Sequence, residues 1–169
     1  FHTESSDTSD KIVAKAFDMS VWILGIYGVL VLLCSGVYKL FGMTWFDAFN
    51  HAMTTLGTGG FSTHDASFGY FADGPNFTAL LYTGVIFMIA GALPFVAFIR
   101  LAKGNWKGFL TDIQLRAFLI FLLSVIVLLA VTRTFRGDIP FSESFMHAAF
   151  NVVSIVTTTG YASEDYQLW

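Results

Sequence analysis

Long runs without a charged side chain are the sequence feature that most constrains how this chain can fold. Between Asp18 and Lys39 there is no Asp, Glu, Lys or Arg. As an α-helix rising ~1.5 Å per residue, a run of about 20 residues spans ~30 Å, the thickness of the hydrocarbon core of a bilayer. A second uncharged run, from Phe77 to Ile99, is long enough to cross with a tilt. These runs predict a chain that crosses a membrane.

A third apolar run, from Ala117 to Thr132, is shorter but is flanked by Arg116 and Arg133. Long Arg side chains at helix ends can carry their charge out to the membrane interfaces. We therefore predict a third span here, with Arg133 and its neighbour Arg136 as interface anchors.

The second run contains two residues that disturb a helix. Pro94 lacks a backbone donor and Gly91 lies just before it, so we predict a kink in this span rather than a break. Pro75 and Asn76 come directly before the run, where they are expected to supply a turn and a helix N-cap.

Two further apolar stretches, Thr44 to Leu56 and Phe141 to Val156, are interrupted by polar residues and are short for a crossing helix. Such lengths favour re-entrant helices, which enter the membrane and return on the same side. Each stretch begins with residues that can satisfy the exposed donors of a helix start. They are Thr44 and Asp47 in the first stretch, and Ser142 and Glu143 in the second.

Composition supports a membrane protein and excludes other classes. Hydrophobic residues make up 55% of the chain and charged residues only 12%, against roughly a quarter charged in a soluble domain. The net charge of -3 and the scattered Lys and Arg give no basic footprint for nucleic acid. A single Cys34 cannot form an intrachain disulfide. Residues 1–18 lack a signal-peptide pattern, and without an initiator Met both ends are expected to be cuts.

Basic residues after the second run indicate the orientation of the chain. The positive-inside rule places the loop 101–116 in the cytoplasm. The region 41–76, which has three Asp residues and no Lys or Arg, is then expected to face outside. The basic residues of the loop and its borders are Arg100, Lys103, Lys107 and Arg116.

The order of elements predicts one and a half copies of a repeat. Each copy consists of a span, a short helix and a loop rich in Thr and Gly, and the loops 57–65 and 157–165 share Thr, Gly, an aromatic residue and Asp. Upstream, Phe49-Asn50 would match Phe150-Asn151 only with an insertion. Repeats in a membrane chain indicate a pseudo-symmetric transporter or channel whose site lies where the repeats meet. We name the two segments loop 1 (57–65) and loop 2 (157–165).

The composition of the two loops suits a dehydrated potassium ion. Backbone carbonyls can replace its hydration shell, Gly allows the required backbone angles, and an aromatic ring can brace the loop from outside. The preceding helix points its partly negative C-terminal end at the ion. Candidate ligands are Thr58, Gly59, Gly60 and Phe61 in loop 1, and Thr158, Thr159, Gly160 and Tyr161 in loop 2. Asp65 and Asp165 would attract cations to the mouth, or would instead cap a helix or pair with an Arg.

The motif Thr-x-Gly-(Phe/Tyr) behind a short helix resembles the filter of the Trk/Ktr/HKT potassium transporter superfamily, and both loops look closest to its bacterial TrkH family. Residues 1–7 also resemble a cytoplasmic segment of that family. The resemblance implies an all-α membrane protein built of span, re-entrant pore helix, filter loop and span. Its implied function is potassium uptake across the bacterial inner membrane without covalent chemistry or a cofactor. Gly60 and Gly160 fit potassium preference, whereas Gly57 replaces an expected Ser or Thr.

The resemblance also implies a division of the chain. Residues 1–18 would be a cytoplasmic lead-in, 19–100 the second repeat, 101–116 a cytoplasmic loop, and 117–169 the front of a truncated third repeat. The first and fourth filters would lie elsewhere in the same protein, and the filter mouths would be periplasmic. Implied partners are membrane lipid, the remaining repeats, a second copy of the chain, and a TrkA-like cytosolic nucleotide-binding regulatory subunit.

Two other functions remain as alternatives. A membrane enzyme could use His51 and His147 in a polar pocket, although no Cys or carboxylate stands at a usual metal-ligand spacing within one helix. Packing or a polar cap is the favoured interpretation of these residues and of His64. A purely structural membrane subunit would tolerate changes in either loop.

Overall fold

The computed structural model describes residues 4–102, 104–137 and 139–166, and within them every regular element is helical. This confirms the predicted all-α class. The α-helices are α1 (Glu4–Leu40), α2 (Trp45–Leu56), α3 (Phe77–Ala92), α4 (Phe95–Ala102), α5 (Trp106–Leu110), α6 (Ile113–Gly137) and α7 (Phe141–Val156), with a 3₁₀ segment at Ser67–Phe71.

Two helices are long and apolar enough to cross a membrane by themselves. They are Ala16–Leu40 within α1 and Ile113–Gly137, which is all of α6, each 25 residues long, or ~37 Å against a ~30 Å hydrocarbon core. The first and third predicted spans are therefore confirmed as helices, and α6 extends beyond the predicted run at both ends. The helix α1 already begins at Glu4, so the described part of the predicted lead-in continues into the first span; residues 1–3 lie outside the described part.

The second predicted span is broken rather than kinked. The helix α3 stops at Ala92, and Leu93 adopts an extended backbone with φ of -73° and ψ of 145° before Pro94. The two helical parts, Phe77–Ala92 and Val96–Ala102, meet at 101°. A proline disfavours the helical conformation of the residue before it and removes a donor, so the helix ends here. Asn76 is the N-cap of α3 as predicted, but its side chain makes no capping hydrogen bond.

The short helices α2 and α7 match the two predicted re-entrant stretches. Thr44 caps α2 as expected, accepting the Asp47 N–H at 3.1 Å. The predicted caps of α7 are wrong, because this helix begins behind Pro140 and places Ser142 and Glu143 inside its first turn. The backbone N–H of Glu143 donates to the Pro140 carbonyl instead, at 3.1 Å.

An aromatic core joins the two copies of the repeat. Phe68, on the 3₁₀ segment behind loop 1, is fully buried. Its ring centroid lies 4.9 Å from that of Phe150 on α7, 4.8 Å from that of Tyr161 in loop 2 and 5.7 Å from that of Tyr38 on α1. Edge-to-face contacts of this kind fix ring orientation as well as burying area. The core therefore holds both loops in one packed unit.

Candidate functional site

Loops 1 and 2 follow the same backbone path. Positive φ occurs at Thr58 (47°) and Gly60 (67°) in loop 1, and at Thr158 (60°) and Gly160 (90°) in loop 2. Each residue of loop 2 carries the number of its counterpart in loop 1 plus 100. Non-glycine residues with positive φ are uncommon and persist only when surrounding contacts hold them. The predicted equivalence of the two loops is visible in their backbone angles.

The same hydrogen bonds tie each loop to the helix before it. The Thr54 carbonyl accepts the N–H groups of Gly59 at 2.8 Å and Gly60 at 3.4 Å, and the Ser154 carbonyl accepts the corresponding groups of loop 2 at 2.8 and 3.3 Å. The Thr54 hydroxyl donates to the Phe61 carbonyl at 2.8 Å, and the Ser154 hydroxyl donates to the corresponding carbonyl of loop 2 at 2.7 Å.

The helices before the loops keep this correspondence without an insertion. His51 Nδ1 lies 2.8 Å from the Asp47 carbonyl oxygen, and Asn151 Nδ2 donates to the His147 carbonyl at 3.0 Å. The two Phe-Asn pairs would match only with an inserted residue, and both helices run into their loops without an interruption. Residue 51 corresponds to residue 151, and the two Phe-Asn pairs are not equivalent.

Three carbonyl groups in each loop are left for another partner. Among the hydrogen bonds of the described residues, none uses the carbonyl oxygens of Thr58, Gly59 and Gly60, or of their counterparts Thr158, Thr159 and Gly160. The carbonyls of Phe61 and Tyr161, by contrast, each already accept a hydrogen bond from a hydroxyl group. Unpaired backbone groups at membrane depth are tolerated where they line a water-filled path. A row of such oxygens is suited to binding a cation that has lost water.

The two glycines at the turn of the loops differ in their surroundings. A Cβ atom built on Gly60 would overlap the Thr159 carbonyl oxygen and come within 2.8 Å of its carbonyl carbon. A Cβ atom on Gly160 would meet nothing within 4 Å. Loop 1 thus packs directly against the backbone of loop 2, and only glycine fits at residue 60.

Tyr161 braces the second loop in the way that the sequence predicts, whereas Phe61 does not. Tyr161 is 1% exposed, and its hydroxyl proton has two acceptors on α2, the Thr54 hydroxyl oxygen and the His51 carbonyl oxygen at 3.1 Å. Phe61, its counterpart, is 77% exposed. Loop 2 therefore packs against α2, the short helix of the preceding repeat. Within the described residues, no helix covers Phe61 in the equivalent way.

Tyr27 on α1 compensates for Gly57, which stands where the resemblance implies a Ser or Thr. In loop 2 the Thr157 hydroxyl donates to the Val153 carbonyl at 2.7 Å. In loop 1 the Tyr27 hydroxyl donates to the corresponding Met53 carbonyl at 3.1 Å, and a Cβ on Gly57 would lie 2.9 Å from that hydroxyl oxygen. The Met53 carbonyl also accepts the Gly57 N–H at 2.9 Å, so a hydroxyl from another helix supplies the second hydrogen bond that a Thr at residue 57 would make.

Two of the histidines make hydrogen bonds to the loops. His51 Nε2 lies 2.9 Å from the Ser62 hydroxyl oxygen, and His147 Nδ1 lies 2.8 Å from that of Ser163. Over the residues that the structure describes, no group of three His, Cys, Asp or Glu side chains could hold a metal ion. The packing and capping role favoured from the sequence matches these contacts.

Asp47 lies outside the membrane-spanning helices, at the start of α2, where it anchors the end of loop 1. Its carboxylate accepts hydroxyl hydrogen bonds from Thr63 at 2.6 Å and from Thr44 at 2.7 Å. Burial raises the pKa of Asp47, but these hydrogen bonds and the nearby His64 and His51 lower it further than burial raises it, so the pKa lies below its ordinary value. An anionic carboxylate is therefore fixed beside the loop.

Acidic and basic residues lie at the ends of the two loops and at the end of α6. Asp65 and Asp165 are both exposed, and each is the last residue of its loop. Arg133, which was expected to anchor at the interface, is only 10% exposed at its side chain and pairs with Glu164 at 2.6 Å. Arg136 remains exposed. Arg133 thus joins the end of α6 to loop 2 through an ion pair.

Several residues of the site are not apparent from the motif alone. The hydroxyls of Thr54 and Ser154 donate to carbonyls of the loops. The Tyr27 hydroxyl bonds the carbonyl that a loop hydroxyl would bond, and Arg133 forms an ion pair with Glu164 in loop 2. Carrying the offset of 100 backward from the loops would have found Thr54 and Ser154, since both are hydroxyl residues at matching positions. The sequence carries no comparable signal for Tyr27, which lies on a distant helix.

A family model and individual relatives both match this chain, and they agree on one family. Residues 11–169 match the TrkH family, described as a cation transport protein. The Trk system potassium uptake protein TrkI of Halomonas elongata is 47% identical over 169 residues, which is 100% of this chain and 34% of that protein. TrkG of Escherichia coli K12 is 33% identical over 162 residues, covering 95% of this chain and 32% of that protein.

A solved structure agrees with the sequence matches. The crystal structure of the potassium transporter TrkH from Vibrio parahaemolyticus superposes with a TM-score of 0.82 at 31% identity, over 90% of this chain and 32% of that one. The chain spans about a third of the length of the relatives that it matches. The family match, the relatives and the shared fold together show that this chain belongs to the TrkH family of cation transport proteins.

Proposed function

We propose that loops 1 and 2 are two filter segments of a potassium uptake pathway. The observation that carries this proposal is the row of carbonyl oxygens in each loop that no donor in the described chain satisfies. Such oxygens replace the hydration shell of a potassium ion. The proposed ligands are the carbonyls of residues 58–60 and 158–160. Those of Phe61 and Tyr161 keep a second lone pair for the ion beside their hydroxyl bond.

The helices before the loops contribute electrostatically. Both α2 and α7 end directly at their loop, with Gly57 and Thr157 as the C-cap residues. The C-terminal end of a helix carries a partial negative charge. Two such ends aimed at the loops lower the cost of a dehydrated cation at membrane depth.

Phe61 points to a neighbour in the complete pathway. Its counterpart Tyr161 packs on the re-entrant helix of the preceding repeat, whereas Phe61 is 77% exposed. Pseudo-symmetry therefore supports a further repeat before this one, whose short helix receives Phe61. The assignment of residues 19–100 as the second repeat and of 117–169 as the front of the third is what the resemblance to the family implies.

The wider assembly follows from the family and from charge. We assign the protein to the bacterial inner membrane, with loop 101–116 in the cytoplasm and the filter mouths in the periplasm, since the basic residues cluster in that loop. Asp65 and Asp165 then lie at the outer mouth. A homodimer bound to a TrkA-like cytosolic regulatory subunit belongs to the same proposal.

Rubidium uptake by the full-length protein tests the proposal. Gly160→Ser is the informative change, because the space around residue 160 is open and the variant can fold. We expect it to lower the preference for rubidium over sodium. Gly104→Ser is the matched control, since Gly104 also has positive φ (79°) and open space but lies far along the chain from both loops.

The outcome distinguishes the proposal from its alternatives. An unchanged rate and an unchanged ion preference in Gly160→Ser would refute the filter and would favour a structural subunit. The TrkH family consists of cation transport proteins, so the membrane enzyme considered from the sequence is excluded.

A further inference from the structure

Beside each loop a carboxylate faces an imidazole. In the first repeat Asp47 Oδ1 on α2 lies 3.3 Å from Nε2 of His64, which follows the filter residues. In the second, His147 Nδ1 on α7 lies 3.7 Å from Oε1 of Glu164. Residues 147 and 164 are the counterparts of 47 and 64 under the offset of 100. The acid and the imidazole thus occupy equivalent positions, with their identities exchanged.

A hydroxyl beside each pair makes this exchange chemically possible. The Thr63 hydroxyl donates to Asp47 Oδ1 at 2.6 Å, and the Ser163 hydroxyl oxygen lies 2.8 Å from His147 Nδ1. A hydroxyl can donate to a carboxylate and can equally donate to or accept from a ring nitrogen. The hydroxyl residue at position 63 or 163 can therefore bond whichever group, carboxylate or imidazole, lies on the short helix.

The two pairs also share a pattern of burial. The member on the short helix is buried, with side-chain exposures of 9% for Asp47 and 8% for His147, whereas the outer members are 24% and 29% exposed. Each outer member has a further contact. The outer imidazole stacks on Tyr70 at 3.5 Å between ring centroids, and the outer carboxylate pairs with Arg133 at 2.6 Å.

We propose that the pairs Asp47–His64 and His147–Glu164 are clamps that close each filter loop onto its own helix and so set the spacing of the carbonyl oxygens. This inference rests on the proposed filter function. In each repeat the filter residues lie between the two clamp members in sequence, so each pair closes a ring of helix, loop and returning chain. A contact between a carboxylate and an imidazole is preserved by the exchange, so the same loop path is built from different residues.

Exchanging the members of the first clamp in the full-length protein tests the inference. Asp47→His alone sets two imidazoles against each other, and the KM for rubidium uptake should rise about tenfold, within the coupling typical of contacting residues. Adding His64→Glu places an imidazole on the helix and a carboxylate in the loop, the order found in the second clamp. This double variant should return the KM to within about threefold of the parent value.

A second variant separates positioning from folding. His64→Phe keeps a ring that can stack on Tyr70 but removes the ring nitrogens that face Asp47. We expect it to raise the KM while the midpoint of thermal unfolding stays near that of the parent. If Asp47→His does not fold, His64→Phe alone decides the question. The clamp is refuted if His64→Phe leaves the KM unchanged, or if the double variant is no closer to the parent than Asp47→His.

Gly160→Ser in the same assay separates this inference from the proposed function. An unchanged ion preference in that variant refutes the filter itself. A changed preference, combined with no recovery in the Asp47→His/His64→Glu variant, refutes only the clamp.

Discussion

Replacing Gly60 by Ala should damage the protein more than replacing Gly160 by Ala, although the two residues are equivalent in the repeat. Both have positive φ, and a side chain held in the left-handed region costs roughly 1–2 kcal/mol. At residue 60 the new methyl group also overlaps the Thr159 carbonyl. Overpacking of this kind adds about 1–3 kcal/mol. The expected costs are therefore about 2–5 kcal/mol for Gly60→Ala and about 1–2 kcal/mol for Gly160→Ala.

The identity of the atom that the new methyl group displaces also matters for transport. The atom that must move aside for Gly60→Ala is the Thr159 carbonyl oxygen, a proposed potassium ligand. Gly60→Ala should therefore lower both the midpoint of thermal unfolding and the apparent affinity for rubidium in the full-length protein. Gly160→Ala should lower the midpoint less. Equal losses in the two variants, or a larger loss in Gly160→Ala, would refute the close packing of the two loops.

Three further substitutions test how the loops are braced. Tyr161→Phe removes the hydroxyl that bonds α2 and should cost about 1–3 kcal/mol in a thermal unfolding assay; an unchanged midpoint would contradict the bracing role. Gly57→Thr should destabilise the protein by crowding the Tyr27 hydroxyl, and adding Tyr27→Phe should restore its stability. If stability is not restored, a Thr hydroxyl at residue 57 cannot take the place of the Tyr27 hydroxyl. Phe61→Ala should lower the unfolding midpoint of the full-length protein, because another short helix is expected to cover this ring; an unaffected midpoint would argue against a preceding repeat.

Local patterns in the sequence were sufficient for much of the fold. The bounds of α7 agree with the predicted stretch, because its length and flanking residues are local properties. The equivalence of the two loops was also predictable, since a Thr-Gly-aromatic pattern at matching positions reflects the same backbone angles. Thr44 capped α2 as its residue type indicates.

The features that the sequence did not reveal are contacts between distant parts of the chain. The ion pair of Arg133 with Glu164 joins residues far apart in sequence, and no local pattern indicates it. Tyr27 contributes to loop 1 only because α1 packs beside α2. In each case the missing information is a tertiary contact.

Anomalous scattering from rubidium in crystals of the full-length protein tests the central claim most directly. The proposal predicts rubidium peaks within coordinating distance of the carbonyl oxygens of residues 58–60 and 158–160. Peaks that avoid these oxygens, or protein donors found hydrogen-bonded to them in the complete structure, would contradict it.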